Sequence, residues 1–311
     1  MKLGRISTSC LVLAALALAG CVVEPKADDP ALTSVSLAAE VRKEAWDVRG
    51  IADGQIIVSK HYRIYVTGKG RLLVVLPGFL EAVRTRCGEI SGVPLRTKTR
   101  MPVYLLASRD QWVDLTKHIF GPHSPAAQID SGGYTYNGVT VCWRIGGKAT
   151  LAVAAHEAMH QYLHYALVGR LPRWMDEGLA TAAEAYAITG ETVRFFDRNT
   201  ARLADLRNAI IDGRWLKLQS LLTDHSLKHI IKDDKSGMLY YAEVYALGEM
   251  LRTHPEYRVG WAKLIDDARL GEIDPTTSAL DQFKHYITPD LEAFAVEFRA
   301  FCRSVCRLEK E

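Results

Sequence analysis

Polar and apolar positions change rhythm along this chain. Between 37 and about 110 the pattern is mixed: an Ala-rich stretch with helical spacing, interleaved polar and apolar residues at 61–67, a helical run at 79–90 and a strand-like segment at 103–107. Gly132-Gly133 then opens a segment, 134–145, rich in Tyr, Thr, Val and Trp. It is broken at Asn137-Gly138, the strongest short hairpin signal in the sequence. Gly146-Gly147 closes it. From Lys148 onward the spacing is helical almost to the end, with helices predicted at 148–168, 173–188, 199–212, 239–253, 257–269 and 290–304. The pattern therefore predicts an α+β fold, a small mixed α/β part with a β-ribbon followed by an α-helical lobe. No repeat of solenoid length is present.

The first twenty residues stand apart. Lys2 and Arg5 precede an apolar run from Leu11 to Ala19, too short to span a bilayer, as in an export signal. Leu18-Ala19-Gly20-Cys21 resembles the lipobox of bacterial lipoproteins, which implies cleavage before Cys21, lipidation of its thiol and a membrane contact through that anchor alone. Position 22 is Val rather than an acid, which favours the outer membrane facing the periplasm. The chain thus divides into a signal (1–20), the lipidated Cys and a tether (21–36), a mixed α/β region (37–130) and a core with a helical C-terminal lobe (131–311). The formal charge of +3 includes Lys2 and Arg5, leaving the body near +1. That balance argues against a nucleic-acid partner, which normally demands a basic excess on one face.

Apart from Cys10 and Cys21, the cysteines are Cys87, Cys142, Cys302 and Cys306. An oxidising compartment makes bridges plausible, with Cys302 and Cys306 four apart on a helix and Cys87 with Cys142 as the other pair; buried free thiols are the competing reading. No CxxC spacing suggests a thiolate metal site.

The chemistry concentrates in Leu151-Ala152-Val153-Ala154-Ala155-His156-Glu157-Ala158-Met159-His160. Residues four apart on a helix share a face, so both imidazoles can reach one cation while Glu157 lies beside them. A chance H-E-x-x-H in a chain of this composition is expected roughly 0.02 times. The next segment, Leu171-Pro172-Arg173-Trp174-Met175-Asp176-Glu177-Gly178-Leu179-Ala180, has proline at a helix start and then carboxylates in the first turns. Glu177 is the expected third ligand, with Asp176 as the rival one position out of phase. Zn2+ suits two imidazoles and a carboxylate with a position left open for water.

The two segments together resemble the gluzincin metallopeptidases, in particular the peptidase-MA-like families in which a P-x-W-x-x-E-G-x-A segment follows HExxH; here these are Pro172, Trp174, Glu177, Gly178 and Ala180. The resemblance covers about 130–250 and extends to a planctomycete-type group built on the same core. It implies a zincin-like fold and one Zn2+ per chain held by His156, His160 and Glu177. It also implies a peptide or protein substrate, with Glu157 as general base. Thermolysin-like enzymes place an acid four residues after the ligand Glu, but position 181 is Thr; Glu184 can take that supporting role instead. The helix around Tyr240 resembles the Y-x-x-x-x-A-L helix of these families through Tyr241, Ala246 and Leu247, making Tyr241 a candidate donor to the oxyanion, with Tyr245 one turn later. The 134–145 ribbon is the candidate edge for aligning substrate as an added strand. His164 continues the ligand face but lies too far along to join the ligands, so it is expected to be a surface or packing histidine.

Three readings remain: a lipid-anchored zinc peptidase, a silent scaffold lipoprotein on the same fold, and a zinc hydrolase of other amides that uses the same ion and base.

Overall fold

A computed structural model describes residues 34–46, 54–123, 132–223 and 234–308. The export signal, Cys21 and most of the tether lie outside the described residues.

Polar and apolar alternation becomes a six-stranded sheet. Its strands are β2 (Arg42–Ala45), β3 (Gln55–Val58), β4 (Tyr62–Val66), β5 (Met101–Leu106), β6 (Gly133–Tyr136) and β7 (Val139–Trp143), in the order β2-β3-β4-β5-β7-β6. β4 buries Tyr62, Ile64 and Val66 and leaves Arg63 and Tyr65 half-exposed, the two-residue period of a one-sided strand. The β4–β5 and β5–β7 pairs are parallel, and such pairs need crossovers. Helices α1 (Arg71–Ser91) and α2 (Arg109–Phe120) supply them. β6 and β7 form the predicted hairpin, register Tyr136↔Val139, with left-handed Asn137 (φ 49) and Gly138 (φ 74) at its turn. β6 is the edge strand.

The helical lobe contains α3 (Gly147–Ala166), α4 (Arg173–Ala183), α5 (Thr200–Ile211), α6 (Leu218–Leu222), α7 (Asp234–Thr253), α8 (Arg258–Leu270), α9 (Ala279–Tyr286) and α10 (Leu291–Val305). α3 lies on the sheet beside α1, and α4 packs between α3 and α7. The last contact is backbone on backbone: a Cβ at Gly178 would sit 2.9 Å from the Val244 carbonyl and 3.6 Å from Gly248 Cα. The main core runs from Leu37 to Cys306 and the sheet continues across position 130, so the regions separated there in the sequence share one sheet and one core.

Three expectations are corrected. The Ala-rich stretch after Leu37 is not helical. β1 (Val35–Ser36) pairs with β9 (Thr192–Phe195), the Leu37 N–H donates to the Glu191 carbonyl, and the Leu37 backbone rests where a Cβ on Gly78 would stand. Tertiary pairing overrides a weak helical propensity there. The helix expected to reach 188 stops at Ala183, and a hairpin of β8 (Tyr186–Thr189) and β9 follows, with Gly190 in its turn at φ 61. Finally, Cys87, Cys142, Cys302 and Cys306 form no disulfide: all four are buried free thiols. Cys142 Sγ packs where a Cβ on Gly133 would fall, whereas Cys87 lies on α1 in the field of Arg86 and Arg84. The Cys306 thiol donates to the Leu203 carbonyl rather than bonding to Cys302. Burial pushes all four thiols up, Cys306 to about 11.

Candidate metal centre

The centre is assembled from two helices. α3 presents His156 and His160 one turn apart, their ring centroids separated by 4.9 Å. After a short connection, Pro172 stands at the N-cap of α4, which places Glu177 on the face turned toward α3. His156 Nε2 lies 3.2 Å and His160 Nε2 3.6 Å from Glu177 Oε2. One ligand atom from each residue falls within 4.8 Å of the others. The sequence-derived ligand set therefore converges.

The polar atoms that face one another make close contacts but no hydrogen bonds. His156 Nε2, His160 Nε2, Glu177 Oε2 and both carboxylate oxygens of Glu157 are buried and make no hydrogen bond. Native interiors seldom leave such atoms unsatisfied, because each forfeits hydration without compensation. Five in one place, on neutral-imidazole and carboxylate donors, fit a dication with a water beside it. Charge agrees. The carboxylates of Glu157, Glu177, Glu184 and Asp176 surround the centre, offset by the guanidinium groups of Arg173 and Arg202, which pair with Glu177 and Glu184. With neutral imidazoles and ionised acids, and with Asp205 a further 3.9 Å partner of Arg202, negative charge exceeds positive around the centre, which suits a cation.

The outward nitrogens are accounted for. The Nδ1–H of His156 donates to Glu184 Oε1 at 2.7 Å, and that of His160 to Asp176 Oδ1 at 2.9 Å. Each bond fixes a tautomer and turns the Nε2 lone pair inward. Glu184 thus occupies the supporting position proposed for it. Asp176, the rival ligand, instead backs His160. Burial opposes a proton on both imidazoles, yet Glu177 and Glu184 raise the pKa of His156, and Asp176 and Glu177 raise that of His160. Burial alone would raise Glu177, but the two imidazoles and Arg173 hold it well below the usual carboxylate range. Glu157 is raised, chiefly by burial.

Glu157 is held through its backbone. Thr135 on β6 donates to the Glu157 carbonyl at 3.0 Å, which pins the edge strand to α3 beside the centre. Gln161 Nε2 donates to the carbonyls of Pro102 and Gly138, tying the same helix to the sheet and the hairpin turn. Tyr241, on α7, is fully buried, with its ring 5.6 Å from that of His156 at 88°. Burial and then the Glu177 charge raise its hydroxyl pKa. Tyr245 turns away: its hydroxyl accepts from the Asn199 N–H and borders a cavity of about 330 Å³ that includes none of the ligands. His164 is exposed at the surface, its ring beside Gly138 and against Tyr165.

Sequence reasoning missed Arg202, Arg173 and the role of Asp176. The carboxylate could have been suspected from its place directly before Glu177, in the first turn of α4; Arg202 carries no motif.

No family model matches the chain, and no curated protein matches it. Among the described residues no helix is long and apolar enough to cross a membrane.

Proposed function

We propose that the protein is a zinc-dependent metallopeptidase tethered to the cell envelope through Cys21. The observation that carries this reading is the group of five unpartnered, buried donor and acceptor atoms on His156, His160, Glu177 and Glu157. His156, His160 and Glu177 would hold the ion, and the chemistry it supplies when bound is Lewis acidity, lowering the pKa of water and polarising a carbonyl. Glu157 takes the proton of the attacking water and returns it to the departing amine, a task suited to a carboxyl whose pKa burial has raised. Tyr241 stands near enough to the ligand face to serve as a donor to the developing oxyanion. A peptide substrate is supported by β6: it is the edge of the sheet, it is tied to Glu157 through Thr135, and an extended chain could pair along it.

One observation favours the silent-scaffold reading. Of the four core residues only His160 exposes any surface, and only 5% of it, so a peptide reaches the centre only after the surrounding elements part. The same experiment decides between them. Wild-type protein should bind about one zinc per chain and cleave a mixed peptide library, while Glu157→Gln keeps the metal and loses cleavage by about 100-fold or more. Zinc in both forms with cleavage in neither would establish the scaffold.

A further inference from the structure

We infer that Arg202 is a positioning residue of the metal centre, a single guanidinium that fixes the ligand His156 from two directions; the inference rests on the metal reading above. Arg202 lies in the first turn of α5 and is 3% exposed. Its Nε donates to Glu184 Oε2 at 2.9 Å and its Nη2 to Glu184 Oε1 at 3.0 Å, a two-pronged grip on the carboxylate that receives the His156 Nδ1–H. The same guanidinium stands over the ring of Tyr241, 5.2 Å from its centroid. Tyr241 in turn meets the His156 ring at 88°. Arg202 therefore acts on His156 along its Nδ1 axis through Glu184 and across its ring through Tyr241.

The local sequence builds this arrangement. Asn199 caps α5 by accepting from the Arg202 N–H, while its Nδ2 donates to the Thr181 carbonyl at the end of α4 and to Glu184 Oε2. The start of α5 is thereby docked against the end of α4, and the arginine is delivered to a carboxylate that sits at the C-cap of α4. A flexible cation at the surface could neutralise Glu184 but could not orient it. The planar fork constrains both oxygens, and with them the plane from which Glu184 receives the imidazole proton. His160 has no such device among the described residues: none of their arginines or lysines pairs with Asp176, whose side chain is 21% exposed. The two ligand imidazoles are thus supported unequally.

A purely structural ion pair would make a different prediction. The test uses the purified chain with zinc, and with cobalt(II) as a spectroscopic probe, comparing wild type with Arg202→Lys, which keeps the charge and loses the fork. The expected result is a zinc affinity lowered about 10–100-fold, measured by chelator competition, with a changed cobalt absorption spectrum in folded protein. Wild-type affinity and spectrum in Arg202→Lys would overturn the inference, even if its Tm falls. Should Arg202→Lys fail to fold, the double variant Arg202→Met with Glu184→Gln is read instead. It removes the buried charges together and leaves an amide oxygen to accept the His156 proton. A changed cobalt spectrum there supports the positioning role, and a wild-type spectrum overturns it. If wild type itself binds neither metal, the metal reading fails first. The ring-nitrogen NMR signals of His156 in metal-free protein then decide: unchanged signals in Arg202→Lys overturn the positioning role, and altered ones retain it.

Discussion

His156 and His160 are one helical turn apart and face the same point, yet they stand in different surroundings. Behind His156 the chain of contacts runs inward, from Glu184 to Arg202 and Asn199, all within the protein. Behind His160 it runs outward to Asp176 and reaches water. The difference teaches how one motif places two imidazoles in unlike supports. A buried, fully bonded support costs a great deal to disturb, because every group left behind is an uncompensated charge, whereas a support in contact with solvent is screened and replaceable.

The strongest way to break this comparison is to remove what the two imidazoles share. Glu177→Ala should abolish stoichiometric zinc binding, seen as loss of metal from dialysed protein, whatever stands behind either ring; retained metal would mean that the ligand set is wrongly drawn. Next in size, Glu184→Ala leaves the buried Arg202 charge with Asp205 at 3.9 Å in place of a two-pronged partner and should lower stability by about 3 kcal/mol in urea denaturation. Asp176→Asn, at the wet end, should cost less than about 1 kcal/mol, and equal losses would erase the asymmetry.

A buried carboxyl outside the centre sharpens the contrast. Glu243 on α7 accepts from the Leu216 N–H, and burial lifts its pKa to about 8. Its native form holds a proton that the unfolded chain has released, so its contribution to stability is complete below the ordinary carboxylate range and disappears as pH rises toward 8. Glu243→Gln should leave Tm unchanged at pH 4 and raise it by roughly 3–6 °C at pH 8. The smallest effect belongs to the sheet contact. Thr135→Val removes the hydroxyl bond to the Glu157 carbonyl and should cost about 1 kcal/mol, with zinc affinity intact.

The centre was legible in the sequence wherever chemistry and periodicity coincide. A four-residue spacing on a long apolar helix fixes where two imidazoles point, and a proline-led second helix fixes the carboxylate. The ribbon was legible because Asn137-Gly138 has few conformational alternatives. Asp176, Glu184 and Arg202 were harder, since which carboxylate ligates and which supports depends on how α4 rotates against α3, and an arginine 46 residues after His156 is brought near only by the docking of α5. The β8–β9 hairpin was hidden because its alternating residues follow a helical run without a break, and α4 ends where Glu184 bends back toward His156. Cysteine count alone could not distinguish bridges from packing.

Those sulfurs have a consequence for how the molecule is made. Cys87, Cys142 and Cys302 are sealed in the core and Cys306 is nearly so, so these four offer an oxidant or an alkylating reagent almost no reactive thiolate in the native state. The extended chain offers all of them. In an oxidising medium, collapse competes with crosslinking, and a molecule that pairs these four cysteines first is locked away from a fold in which all four are free.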